Sequence, residues 1–305
     1  MRVLAPVVLF VYNRPQHTQF TLDALADNGY AGQSDLYIFC DGAKTTASSE
    51  QLNRINEVRI IARNESRFAK VHVVEREKNF GLAASVIAGV TQVLDKYGKI
   101  IVLEDDHVTS PFFLNFMNDA LEVYADNKDV ACISGYIYPV DVKLPETFFI
   151  KGADCWGWAT WTRGWELFEK DGKKLQKEIN DKSLKKEFDF EGTYPYSKIL
   201  QEQIDTKNDS WAIRWYASAF LKNKYCLYPG KSLVQNIGID GSGTHCGVSD
   251  MLNVTLSANK INVMPITVEE HKLGKQAFIN YFKALKKSEV SLFKRAVVKL
   301  RSKLK

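Results

Sequence analysis

The chain has 305 residues, of which 45% are hydrophobic and 12% aromatic, with a formal net charge of +5. That is enough apolar material for one large domain or two fused lobes, and it excludes a disordered chain apart from the termini. The basic residues are local and no nucleic-acid module is recognisable, so nucleic acid is not an expected partner.

Five cysteines without a Cys-x-x-Cys pair argue for free thiols rather than a disulfide framework or a zinc site. No stretch approaches the ~20 apolar residues of a membrane-spanning helix, and no secretory signal precedes the first strand. The expectation is a cytoplasmic protein, or one peripheral on the inner face of the cell membrane.

Val7 to Tyr12 is a continuous apolar run, the pattern of a strand covered on both faces. Asn13-Arg14-Pro15 breaks it, and a helical pattern follows through Leu22 and Leu25. Leu36 to Cys40 reads as a second strand, stopping at Asp41-Gly42. Residues 48–68 read as a charged amphipathic helix, Val71 to Val74 as a third strand and Gly81 to Tyr97 as a helix. Ile100 to Leu103 is a fourth strand and ends in Glu104-Asp105-Asp106. Strands alternating with helices predict an α/β fold with a mostly parallel sheet and helices on both faces. Ligands of such sheets bind beyond the carboxyl ends of the strands. Arg14, Asp41 and the three acids all fall there.

After Pro111 a helix is predicted through Tyr124, then a buried strand over 130–135. Residues 155–161 are aromatic and irregular, and 169–191 are charged and solvated. Trp211 to Leu221 reads as a helix, Cys226 to Pro229 as a short strand and 236–247 as a glycine-rich loop.

Three successive acids at the end of an apolar strand require a counter-charge. A divalent cation supplies one, and Mn²⁺ or Mg²⁺ held by one or two carboxylates also binds diphosphate oxygens. His245 lies in the glycine-rich loop. Neutral imidazole binds Mn²⁺, and imidazolium balances a diphosphate. A loop of this composition is suited to closing over a donor and excluding water. Trp156, Trp158, Trp161 and Trp165 read either as an acceptor surface or as core, because aromatic faces serve both.

These motifs, in this order, resemble the GT-A glycosyltransferases, in particular animal protein N-acetylglucosaminyltransferase I and bacterial family 2-like enzymes. The resemblance rests on Val102-Leu103-Glu104-Asp105-Asp106 with Ser110-Pro111-Phe112-Phe113, and on Asn13-Arg14-Pro15 and Asp41-Gly42. Asn79-Phe80-Gly81-Leu82-Ala83 and Gly157-Trp158-Ala159-Thr160-Trp161 extend it. So does the stretch from Tyr228-Pro229 through Asn236-Ile237-Gly238 to Thr244-His245.

The resemblance implies a GT-A, Rossmann-like nucleotide-binding core with a mixed, mostly parallel sheet. It implies a metal-dependent, inverting transfer from a nucleotide sugar, UDP-linked by preference, to a glycan or lipid-linked saccharide acceptor in surface polysaccharide synthesis. Asp106 would be the direct metal ligand, with Asp105 near the ribose and sharing the metal, Glu104 supporting the site and His245 completing it. Asp41 would meet the base or ribose, Arg14 the base or diphosphate, and Asn79 and Gly81 would pack near the nucleotide. Inversion needs a carboxylate base. Relatives carry an acid directly after the tryptophan that opens the corresponding helix, where this chain has Trp211-Ala212. Asp209 is then the first candidate, with Asp154 and Asp240 in reserve.

Two other classes remain open. A sugar nucleotidyltransferase would carry a Gly-rich, Lys/Arg-containing loop after the first strand, which Asn13-Arg14-Pro15-Gln16 lacks. A non-catalytic nucleotide-sugar-binding protein with a decayed site would explain the missing base.

From Lys272 onward the chain carries eleven Lys and Arg and a single acid, Glu289. Phe293, Ala296, Val297, Leu300 and Leu304 recur at helical spacing, which predicts a basic amphipathic helix and an anionic membrane surface as a partner of residues 285–305. The expected division is a nucleotide-sugar-binding part over 1–135, an acceptor part over 136–265 and a basic helical tail over 266–305.

Overall fold

The computed structural model describes residues 3–241 and 250–303, with side chains as far as Lys287. The chain opens with β1 (Val7–Val11), α1 (Pro15–Ala26), β2 (Asp35–Cys40), α2 (Ser49–Asn64), β3 (Lys70–Glu75), α3 (Leu82–Tyr97) and β4 (Lys99–Glu104). It continues through β5 (His107–Thr109), α4 (Phe113–Val123), β6 (Val130–Ser134), β7 (Thr147–Lys151) and β8 (Trp158–Trp161). Four helices follow: α5 (Thr162–Trp165), α6 (Gly172–Asp181), α7 (Lys185–Phe188) and α8 (Tyr196–Ile204). The last elements are α9 (Trp211–Leu221), β9 (Tyr225–Pro229), β10 (Val234–Asn236) and α10 (Lys272–Lys303).

Eight strands form one sheet in the order β3-β2-β1-β4-β8-β6-β9-β7. The first four run parallel, whereas β8 runs antiparallel to both β4 and β6. Chain order runs outward from β1 through β2 to β3, then returns to β4 on β1's other side. The crevice between the carboxyl ends of β1 and β4 is therefore a topological switch point, where open sheets bind ligands.

The continuous apolar runs follow from burial of both faces. Val8 and Phe10 of β1 join one core layer with Val86, Val90 and Val93 of α3, whereas Val7, Leu9 and Val11 join the other with α1 and α4. Local signals set the helix ends. Ser48 and Gln51 form a reciprocal capping box at the start of α2. Gly98 closes α3 in the left-handed conformation that glycine adopts without a Cβ penalty.

The irregular aromatic segment contains β8, the strand that joins the two halves of the sheet. Its Trp-Ala-Thr-Trp pattern alternates between two buried faces, so no polar face marks it as a strand. The expected short strand near 226–229 is β9, and it recruits β7, which the sequence reading left unassigned.

The basic C-terminal segment is helical as expected, but its first turns belong to the core. Phe278 and Phe282 pack against Tyr138, Phe148 and Phe190. No described helix is long and apolar enough to cross a membrane. Because Phe278 is fully buried, Phe278→Ala is expected to cost about 3–5 kcal/mol by cavity formation. Urea unfolding monitored by tryptophan fluorescence measures this, and a loss below about 1 kcal/mol would mean that α10 is not part of the cooperative core.

Candidate active site

The chain leaves β1 at Arg14, just before Pro15 opens α1, and leaves β4 at Glu104. The two ends are neighbours, so Arg14 reaches across the switch point. Its guanidinium bonds both Asp105 oxygens, one through Nε at 3.3 Å, and reaches Asp106 Oδ2 at 3.0 Å. Burial works against that positive charge, but Asp105 and Asp106 outweigh it and hold Arg14 firmly protonated. The Thr21 hydroxyl on α1 donates to the Asp105 carbonyl at 2.8 Å and fixes the backbone between the acids.

Desolvation first, then Asp106 and Asp105, push Glu104 up to about 8. The indole of Trp211 donates to it. Asp105 is pushed up to about 6 by burial, with Arg14 opposing. At neutral pH without a ligand, the cleft therefore carries less than the formal charge of three carboxylates.

His107 lies beside this run and was not among the expected site residues. It is buried, and desolvation lowers its pKa to about 4, so it is neutral. Its Nδ1 accepts from the Glu104 backbone N–H at 3.1 Å, which leaves the proton on Nε2, 3.5 Å from Asp106 Oδ1. The only sequence signal was its position directly after the third acid.

A short β5–β10 pairing brings the later loop onto the same acids. The Ile237 N–H donates to the Asp106 carbonyl at 2.9 Å. Gly238 follows, held by its N–H to Asn236 Oδ1 at 2.8 Å. A Cβ on Gly238 would overlap Asp106 Oδ2 and lie 2.8 Å from an Arg14 guanidinium nitrogen.

Among the described residues, the buried Asp106 Oδ1 has no hydrogen-bond partner. That orphaned oxygen fits one ligand position of a hard cation. Among the described residues, no group of three His, Cys, Asp or Glu side chains could hold a metal ion. The described residues therefore fit an ion held by one or two carboxylates, with the remaining positions left for diphosphate oxygens. His245 lies outside the described residues.

Asp41, at the end of β2, does something more specific than its position suggested. Its carboxylate accepts from the backbone N–H groups of Gly42, Phe80 and Gly81 and from Asn79 Nδ2, all at 2.9–3.0 Å. Each oxygen takes two bonds, so the group is saturated by the loop that opens α3. Asn79 is part of this clamp, and Gly81 turns the chain into α3 with φ of 76°. Gly42 must be glycine, because a Cβ there would collide with the Lys78 backbone.

A cavity of about 190 Å³ is lined by Tyr136, Tyr138, Asp154, Trp156, Tyr196 and Tyr228 among others, and it reaches Ala212, next to the Trp211 that donates to Glu104. Cys155 links the two regions: it lines the cavity, and its thiol is pushed up by burial, then by Asp154, Glu104 and Asp106. Trp158, Trp161 and Trp165 are buried in the core, and Trp158 stacks on Trp211, the donor to Glu104.

The three base candidates separate clearly. Asp154 lines the cavity, as does Ala212. Asp209 points to solvent with its side chain 69% exposed and lies 3.5 Å from Arg214. Asp240 is 49% exposed and lies 3.2 Å from His17 Nε2 on α1. Neither Asp209 nor Asp240 lines the cavity.

The family model of Glycosyl transferase family 2 matches residues 7–177, more than half of the chain, and spans β1 to α6 with the acidic run inside it. The chain is a family 2 glycosyltransferase. No curated protein matches the chain. Among solved structures, this glycosyltransferase is similar to S. aureus TarS, at 14% identity over 40% of this chain and 20% of that one, with a TM-score of 0.28. Against TarS 1-349 the values are 12%, 75%, 59% and 0.39. A UDP-glucose pyrophosphorylase complexed with UDP-glucose gives 11% identity over 74% of this chain and 90% of that one, at a TM-score of 0.36. The chain thus spans a fifth of full-length TarS and 59% of the shorter form.

Gly238→Ala is expected to leave near-ultraviolet circular dichroism unchanged and to lower donor turnover by ~10²-fold, because the methyl group displaces the Asp106 carboxylate. Turnover within threefold of wild type would show that the acids tolerate the displacement.

Proposed function

We propose that this glycosyltransferase moves a hexosyl or N-acetylhexosaminyl group from a UDP-sugar to a hydroxyl of a glycan or lipid-linked acceptor, with inversion, in surface polysaccharide synthesis. The observation that carries this reading is the acidic run at the switch point, with one orphaned Asp106 oxygen, joined through Trp211 and Ala212 to an aromatic cavity. Mn²⁺ or Mg²⁺ would be held by Asp106, with Asp105 beside it. When bound, such an ion supplies Lewis-acid stabilisation of the departing diphosphate.

The protein's own residues do the rest. Arg14 keeps Asp105 and Asp106 close together and oriented toward the crevice between β1 and β4. The loop clamped by Asp41 forms a fixed wall at the start of α3. The Gly238 backbone presses on Asp106, and its lack of a side chain leaves the carboxylate in place. Each of these orders the site before a ligand arrives, which lowers the reorganisation needed during reaction.

A thermal-shift panel of UDP-glucose, UDP-N-acetylglucosamine and GDP-mannose with and without Mn²⁺ tests the reading. A ligand at 100 times its Kd adds ~2.7 kcal/mol to stability, so a UDP-sugar should raise Tm by several degrees only when Mn²⁺ is present. Asp106→Ala should remove the metal-dependent part. Equal shifts without the ion, or in Asp106→Ala, would defeat the metal assignment.

The basic end of α10 supports an anionic membrane surface as a further partner through residues 285–305. Deleting 288–305 should release the protein from vesicles containing phosphatidylglycerol while leaving activity on water-soluble acceptors. Equal vesicle sedimentation of both forms would remove that partner.

A further inference from the structure

Resting on the reading of this cleft as a glycosyltransferase site, we infer that the aromatic cavity seats an uncharged sugar ring of the acceptor, and that Asp154 takes the proton from its attacking hydroxyl.

The size of the cavity limits what it holds. About 190 Å³ is well below the ~300–1,000 Å³ of drug-sized sites, so it takes one ring rather than an extended oligosaccharide. Its walls suit a sugar. Aromatic rings offer flat apolar faces. The Tyr136 and Tyr228 hydroxyls donate to the Leu252 carbonyl and to Asp154, and those of Tyr138 and Tyr196 pair with each other, so their oxygens keep acceptor positions for sugar hydroxyls.

Charge then selects the class. Among the described residues, the only cation lining the cavity is Lys151. Its ammonium sits 2.9 Å from Glu187 and over the Phe220 ring, so its charge is already balanced. Asp154 is the remaining formal charge in the wall. A carboxylate- or phosphate-bearing ring placed here would meet an anion with no cation to offset it, at a cost that a neutral ring avoids.

Asp154 is built to accept one more proton donor. Its Oδ1 takes the backbone N–H groups of Cys155 at 2.6 Å and Trp156 at 3.3 Å. Among the described residues, its Oδ2 takes only the Tyr228 hydroxyl, at 2.9 Å. A carboxylate oxygen accepts two hydrogen bonds, so Oδ2 keeps one position for a substrate hydroxyl. The backbone turn fixes the carboxylate, so little motion is needed to present it. Burial also raises its pKa above the ordinary carboxylate range, which strengthens it as a base.

Position completes the case. Ala212 lines the same cavity as Asp154, and its neighbour Trp211 donates to Glu104, so the cavity adjoins the end of α9 that touches the acidic run. In the step, the acceptor oxygen bonds to the donor's anomeric carbon. The bond from that carbon to the diphosphate oxygen breaks, its electron pair leaves with the nucleoside diphosphate, and the acceptor's proton ends on Asp154 Oδ2.

The test uses the full chain with UDP-glucose as donor, and p-nitrophenyl β-glucoside, β-galactoside and β-glucuronide as acceptor probes. Binding is read by saturation-transfer NMR and transfer by UDP release. The two neutral glycosides should bind at least tenfold more tightly than the glucuronide. Asp154→Asn, which is isosteric and keeps the backbone contacts, should bind them within threefold of wild type while its transfer kcat falls by ~10²-fold or more. Tyr228→Phe removes a hydrogen bond to the same carboxylate but keeps the base, and should retain measurable transfer. Wild-type transfer rates in Asp154→Asn, or glucuronide binding as tight as the neutral glycosides, would overturn the inference. So would a wild type that binds UDP-glucose yet neither binds nor glycosylates a neutral glycoside. If no nucleotide sugar stabilises the wild type or is consumed by it, the glycosyltransferase reading itself has failed, a result separate from the glycoside-binding measurement.

Discussion

Carboxylates packed side by side in a dehydrated cleft repel one another, and the way this chain balances Glu104, Asp105 and Asp106 governs the rest of the site. Arg14 supplies a fixed positive charge to two of them from across the switch point. Glu104 responds differently, holding its proton to about pH 8 while Trp211 donates to it. Among the described residues, Asp106 Oδ1 accepts no hydrogen bond, and the His107 Nε2 lies 3.5 Å from it. Left alone, that oxygen is an expense of desolvation. A cation or a substrate group that meets it recovers the loss on binding.

The surrounding structure keeps this balance from relaxing. Thr21 fixes the backbone of Asp105, His107 fixes that of Glu104, and the β5–β10 pairing holds Gly238 against Asp106. Asp41 applies the same logic one strand away. Three of its four hydrogen bonds go to the loop that opens α3 and the fourth to the Gly42 N–H, so it builds the wall of the crevice. Pre-formed donors and acceptors of this kind need no rearrangement during reaction, and electrostatic catalysis depends on that property.

The cavity follows a different principle. It is assembled from parts distant in sequence: Tyr136 after β6, the turn from Asp154 to Trp156, helix α9 and Tyr228 on β9. The first turns of α10 support it from behind, where Tyr281 and Phe282 pack on Tyr138. The same helix continues toward the basic C-terminal residues.

The sequence by itself determined the donor half. Four apolar runs alternating with helical patterns specify a parallel sheet, because each strand must be covered on both faces and each crossover needs a helix. Arg14, Asp41 and the three acids sit at strand ends, and that placement alone puts them on one edge. The tertiary structure decided everything that depends on partners far apart in the chain. It showed that Asp41 is consumed by Asn79, Phe80 and Gly81, that His107 is neutral, and that the irregular Trp158–Trp161 segment is a central strand. It also put Asp154 in the cavity and Asp209 in solvent, although the two are equally acidic in sequence. Periodicity reports which face a residue shares with its near neighbours, whereas burial and hydrogen bonding at a site are set by chain segments a hundred residues away. Asp154 and Asp209 could be told apart only after those segments were folded together.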